Sequence, residues 1–315
     1  MCFLSLQNMV FPSVMVLPLL IVMAAGLYYI YNKVMQFMSK SLVRNKVVVI
    51  TDAVSGVGTE CAHLFHKGGA RLILCGTSWD KLESLYDSLT NDGDPRETFA
   101  PKLVILDFSD MHSMEDVLVE VMDCYGCVDV LICNSSMKLK APVQSISLEL
   151  DRNIMDINYF GPSTLAKGLL PTMISRRSGH IVLVNSIQGR LAIPFRSSYA
   201  ASKHAAQAFF DCLRAEVEEY GIFVSTISHT FINASDPVPV KVPAFKANAL
   251  SMTHGVRPSV LANEIMQTVN RKRKEVVMSH PIPRVALYLR SLLPSFLFAV
   301  LGAGVKDSVL PEQML

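Results

Sequence analysis

"NKVVVITDAVSGVGTECAHLFHKGGA" (45–70) joins a β-branched apolar run to a glycine-bearing turn and then to a segment with helical spacing. The run (45–52) reads as a buried strand, because branched side chains pack well on a pleated surface. The turn "TDAVSGVGTE" (51–60) places Gly56 and Gly58 between strand and helix. Glycines there let the backbone approach a phosphate closely, and the helix that begins at the turn aims its amide dipoles at the negative charge. The helical segment stops at Gly68-Gly69, a common way for a helix to end. A strand, a phosphate-sized turn and a helix in this order form the opening unit of a doubly wound α/β fold.

The same alternation continues downstream. Further strands are predicted at 71–76, 102–110, 128–136, 179–186, 222–232 and 275–279, and helices at 79–90, 114–126, 147–177 (one or two), 197–221 and 259–273. Strands that are apolar throughout and alternate with helices indicate a parallel sheet covered on both faces. The expectation is an α/β fold with a doubly wound parallel sheet of Rossmann type. A Pro-rich stretch, 233–258, interrupts the pattern, and a loop of that length inside a compact domain suggests a lid. With Phe231 it carries Val238, Val240, Val242, Phe245 and Leu250, which suit a lipophilic ligand.

The totals exclude some functions. Lys and Arg number 29 against 27 Asp and Glu, a balance that does not point to nucleic acid. Seven scattered cysteines do not make a disulfide framework. Cys124 and Cys127 form a C-x-x-C without a second pair or a histidine at ligand spacing, so no metal is expected.

Both ends of the chain are apolar. Residues 1–32 contain no charged side chain, and 9–31 are apolar over roughly the 20 residues that a bilayer-crossing helix needs. Tyr28, Tyr29 and Tyr31 lie at the far end, followed by Lys33, Lys40, Arg44 and Lys46. A retained anchor with the main domain in the cytosol is expected from that positive flank. A cleaved signal peptide, giving a secreted protein, is the alternative. Segment 281–305 is again apolar and reads as a surface-lying or interface helix, with Arg284 and Arg290 toward headgroups. "RKRK" (271–274) reads either as a lipid-facing patch or as a solvated helix end. The expected organisation is an anchor with its basic flank (1–43), a nucleotide-binding domain (44–280) and an apolar extension (281–315).

"YAASKHA" (199–205) puts a tyrosine and a lysine four residues apart on a helix. A free phenol, with a pKa of about 10, is a poor base near neutrality. An ammonium one helical turn away favours its charged form. Ser186 precedes Tyr199 by 13 residues, and Asn158 lies upstream in "MDINYFG". These four residues, in this order and in a strand–helix frame, resemble the catalytic set of the short-chain dehydrogenase/reductase family. The turn resembles that family's Thr-Gly-x-x-x-Gly-x-Gly, matching at Thr51, Gly56 and Gly58, with Asp52 in place of the first glycine.

The resemblance covers roughly 44–280 and implies hydride transfer between a nicotinamide and an alcohol or carbonyl. It implies Tyr199 as acid/base, Lys203 beside the nicotinamide ribose, Ser186 as donor to the substrate oxygen and Asn158 as holder of a relay water. It assigns the cofactor to Thr51, Ser55, Gly56, Val57, Gly58, Asp107, Asn134, Ile232, Tyr199 and Lys203. Asp107 would meet the adenine, or else simply cap the strand end. Cys75-Gly76-Thr77-Ser78 after the second strand offers neither acid nor cation, which favours NAD and leaves NADP open. Two motifs depart from the family: Cys133-Asn134-Ser135-Ser136 stands where Asn-Asn-Ala-Gly is usual, and His229-Thr230 where Pro-Gly is usual. The quoted segments are most similar to a membrane-bound subgroup, which implies retinol oxidation with NAD at the endoplasmic or sarcoplasmic reticulum. The family also implies a homodimer. The alternative is a catalytically weak, membrane-tethered relative with a binding or regulatory role.

Overall fold

The computed structural model describes residues 20–30, 42–94, 96–230, 232 and 255–309. The chain divides into two compact units, Met1–Leu42 and Val43–Leu315. In the first, residues 20–30 are helical with exposed side chains. The rest of the apolar run 9–31 and its flank at Lys33 and Lys40 lie outside the described residues. Among the described residues, no helix is long and apolar enough to cross a membrane.

The second unit holds seven parallel strands: β1 (Val47–Ile50), β2 (Arg71–Gly76), β3 (Lys102–Ile105), β4 (Val130–Cys133), β5 (Gly179–Ser186), β6 (Ile222–His229) and β7 (Glu275–Met278). Their order is β3-β2-β1-β4-β5-β6-β7. The alternation splits the central strands between two cores. Val47 and Val49 face one core with Leu131, Cys133, Ile181 and Leu183. Val48 and Ile50 face the other with Val130, Ile132, Val182 and Val184. Helices α3 (Met114–Tyr125), α5 (Gly161–Arg176) and α6 (Ser197–Val217) close the first face. Helices α1 (Gly56–Lys67), α2 (Trp79–Asp92) and α7 (Pro258–Arg271) close the second. Each fully buried Val, Leu or Ile contributes roughly 1.5–3 kcal/mol, so this two-sided burial fixes the register of the central strands.

The strands at 102–110, 128–136 and 222–232 stop earlier than their apolar runs suggest, at Ile105, Cys133 and His229. Helix α4 (Leu148–Met155) continues into α5 through a π-turn, Asp156–Phe160. Helices α8 (Pro281–Leu292) and α9 (Pro294–Val309) follow β7. The order reverses between β1 and β4, the switch point where open sheets of this kind bind ligands beyond their carboxyl ends.

Candidate active site

Two strand ends are stitched together at that switch point. The Thr51 hydroxyl donates to the Ile132 carbonyl at 3.3 Å and accepts from the Asn134 amide at 2.9 Å. Asp52 takes the left-handed region, φ 48°. Its carbonyl accepts from the Ser55 hydroxyl at 2.8 Å and from Asn134 Nδ2 at 3.4 Å. Ser55 caps α1: its oxygen accepts from the Gly58 amide at 3.2 Å and from Asn134 Nδ2 at 2.9 Å. A Cβ on Gly58 would lie 2.2 Å from the Asp52 carbonyl oxygen, so only hydrogen fits. The amides of Gly56 and buried Val57 have no hydrogen-bond partner among the described residues. Two unpaired amides at a helix N-terminus fit a phosphate. The exception to the fit is Asp52, whose carboxyl burial pushes up to about 6 against the opposing effects of the Ser55 hydrogen bond and Lys81.

Downstream, α6 carries Tyr199 and Lys203 past the end of β5. Both are buried, 3% and 2% exposed, and Lys203 Nζ lies 5.9 Å from the centre of the Tyr199 ring. Neither the phenol oxygen nor Nζ has a hydrogen-bond partner among the described residues. Burial pushes the Lys203 ammonium down to about 7; Lys138 adds to the shift and Cys133 opposes it. Ser186 ends β5, where its oxygen accepts from the Gln188 amide at 3.2 Å, which leaves the hydroxyl proton available. The 3-10 turn Ile187–Gly189 that follows presses on α6: a Cβ on Gly189 would meet the Lys203 carbonyl oxygen at 2.7 Å. Asn185 Nδ2 donates to the same carbonyl at 3.1 Å.

Asn158 sits in the π-turn with its side chain committed to neighbours. Its oxygen accepts from the Met137 amide at 2.8 Å; its Nδ2 donates to the Met137 carbonyl and to Ser202 Oγ, both at 2.9 Å. Ser202 in turn donates to the Tyr199 carbonyl at 2.9 Å. Sequence reasoning gives Ser202 no role beyond its small size, and it offers no signal for Asn185 or Gly189. Each acts through a partner distant in the chain. The π-turn, through Asn158 and Ser202, and the segment around Ser186, through Asn185 and Gly189, thus both meet the helix that carries Tyr199 and Lys203.

Other expected residues lie around this centre. Asp107 accepts from the Ser109 amide at 2.8 Å and from its hydroxyl at 2.7 Å, which is the capping arrangement. Ile232 pairs with Val256. His229 is buried with Nδ1 2.5 Å from the Thr230 carbonyl, and burial pushes it down to about 4, so it is neutral. The described cysteines are free thiols, and among the described residues no cluster suits a metal. The lid residues Phe231, Val238, Val240, Val242, Phe245 and Leu250 lie outside the described residues.

The short chain dehydrogenase family matches over residues 46–238. The chain belongs to the short-chain dehydrogenase/reductase family. Dehydrogenase/reductase SDR family member 7C-A of Danio rerio is 64% identical, over 97% of this chain and all of that protein. Member 7C of Homo sapiens is 56% identical, over 96% of this chain and 98% of that one. A metagenomic short-chain oxidoreductase solved in complex with NADP superposes with a TM-score of 0.61, at 19% identity, over 75% of this chain and 97% of that one. At that identity the likeness is one of fold. Short-chain dehydrogenase/reductases are oxidoreductases, and the turn after β1 and Ser186 at the end of β5 both stand at the carboxyl ends of the sheet.

Proposed function

We propose that this short-chain dehydrogenase/reductase is a membrane-anchored, NAD(P)-dependent oxidoreductase acting on a lipophilic alcohol or its carbonyl, with all-trans-retinol and retinal as the leading pair. One observation carries the reading: Tyr199 and Lys203, both buried, present a phenol and an amine without hydrogen-bond partners among the described residues. Their polar atoms are left free to bond a ligand.

A nicotinamide dinucleotide, when bound, supplies the hydride acceptor. The Gly56 and Val57 amides would hold its phosphates, and Lys203 its ribose hydroxyls. Tyr199 takes the alcohol's hydroxyl proton as hydride leaves carbon, and returns it in the reverse direction. The protonated Lys203 amine favours the charged phenol oxygen at that moment. Ser186 donates its free proton to the substrate oxygen, where negative charge develops. Asn158 works indirectly: it ties the π-turn to α6 through Ser202 and so holds Tyr199 in place. NAD is preferred, since the end of β2 offers no cation to meet a 2′-phosphate.

The anchor reading assigns 1–43 to the membrane, 44–280 to the catalytic domain and 281–315 to an extension, with the domain facing the cytosol at the endoplasmic or sarcoplasmic reticulum and pairing as a homodimer. A catalytically weak, regulatory relative is the second reading, favoured by the half-buried Asp52 carboxyl at the phosphate turn. Titration of the purified protein with NAD and NADP separates the two. Association followed by retinol turnover supports the enzyme; no association at millimolar cofactor excludes it.

A further inference from the structure

Tyr199, Lys203, Gln207 and Asp211 follow one another at intervals of four along α6 and share a face of the helix. Elsewhere the helix is apolar inward: Ala206, Phe210, Leu213 and Val217 join the core beneath it. Gln207 is buried as well, 6% exposed, and Asn185 on β5 is fully buried. Buried amides cost stability unless their donors and acceptors find partners.

The partners of Gln207 form a chain that runs inward from the surface. The half-exposed Asp211 carboxylate accepts from Arg214 Nη1 at 2.9 Å and from Gln207 Nε2 at 3.0 Å. Gln207 Nε2 also donates to Thr226 Oγ1 on β6 at 3.3 Å. Arg214 braces the same strand, donating to Thr226 Oγ1 at 3.2 Å and to the Val224 carbonyl at 2.9 Å. At its other end Gln207 Oε1 accepts from Asn185 Nδ2 at 3.1 Å, and that nitrogen also donates to the Lys203 carbonyl at 3.1 Å. A carboxylate and a carbonyl only accept, so each amide has one usable orientation. Asn185 Oδ1 has no hydrogen-bond partner among the described residues. The Asn185 amide is therefore oriented through its nitrogen, and among the described residues Gln207 is the side chain that meets it there.

We propose that Gln207 is a positioning residue for the reaction. It holds Asn185, the residue before Ser186, against the carbonyl of Lys203, and so sets the spacing between the end of β5 and the turn of α6 that bears Lys203. An apolar side chain of the same length would fill the space without orienting Asn185. Misplacing a reacting group by an ångström costs on the order of 100-fold in rate, so a fixed spacing matters to turnover more than to folding. Asp211 extends the device to the surface, because without its carboxylate Gln207 can turn over and present nitrogen to nitrogen. The effect on turnover rests on the function proposed above; the tie between α6 and β5 does not.

The test uses the full chain and two kinds of readout. Gln207→Met keeps an unbranched side chain of similar length and removes every bond of the amide. Hydrogen exchange at the amides of residues 203–207 should be at least about tenfold faster in this variant than in the native protein. Unchanged exchange overturns the tie, whatever turnover shows. For retinol with saturating NAD, kcat should fall at least about tenfold, with the Kd for NAD within about twofold of native. Faster exchange with an unchanged kcat makes Gln207 merely structural and overturns the positioning role. Asn185→Ala should slow turnover comparably, and the double variant should be within about twofold of the slower single one, because Gln207 acts through Asn185. Losses that multiply overturn that route. Asp211→Ala changes an exposed residue that folding does not depend on, and should lower kcat in the same direction by at least about threefold; an unchanged kcat removes Asp211 from the chain. A native protein that turns over no alcohol with NAD or NADP contradicts the proposed function, and the exchange result then decides the tie by itself.

Discussion

Asp52 holds a carboxyl partly buried, in left-handed backbone, at the turn between β1 and α1. Asn tolerates the same backbone and carries no charge. The carboxyl's folded pKa, about 6, stands above its ordinary 3.8. The folded state then binds more protons than the unfolded one between those values, so stability falls as pH rises through that window. Asp52→Asn removes the penalty. Thermal unfolding should show a larger gain in Tm at pH 8 than at pH 5, and an equal gain at both would refute the burial argument. Lys203 titrates near 7 because its ammonium is buried. Dinucleotide phosphates favour the charged amine, so binding at pH 7.5 should take up protons. Calorimetry in buffers of different ionisation enthalpy measures that uptake, and Lys203→Met should reduce it.

At the scale of elements, α6 is the part on which the site depends. Gly189 touches the Lys203 carbonyl so closely that Gly189→Ala must move the turn or the helix. The expected result is a tenfold or greater loss of kcat with dinucleotide affinity within about twofold of the native value. Asn158→Ala leaves the part-buried Met137 amide and carbonyl without their partner and removes one of the two bonds of buried Ser202. At roughly 1–3 kcal/mol for each buried polar group left unpaired, denaturant unfolding should show a loss above about 2 kcal/mol. These ties also explain what the sequence conceals. The Tyr199–Lys203 pair is legible because residues four apart on a helix share a face. The strands are legible because both of their faces are apolar. Asn158 reaches Met137 across 21 positions and Ser202 across 44, and no local pattern encodes such contacts. The π-turn inserts its extra residue without a breaker: no glycine or proline stands among Asp156–Phe160. The strand after α2 ends at Ile105 although "LDF" continues the apolar run, because Asp107 bonds forward to Ser109 and turns the backbone out of the ladder.

At the scale of the molecule, the sheet gathers the turn after β1 and the residues proposed to transfer the proton at its carboxyl end, although 148 positions separate Thr51 from Tyr199. The fold brings them together because β1, β4 and β5 are adjacent and parallel. The central claim is that Tyr199 exchanges a proton with a substrate beside a bound nicotinamide. Single-turnover formation of reduced nicotinamide from retinol tests it most directly, with native protein and Tyr199→Phe both saturated with NAD. The account predicts a rate at least about 100-fold slower for the variant, with NAD affinity unchanged. Equal rates for the two proteins would contradict it.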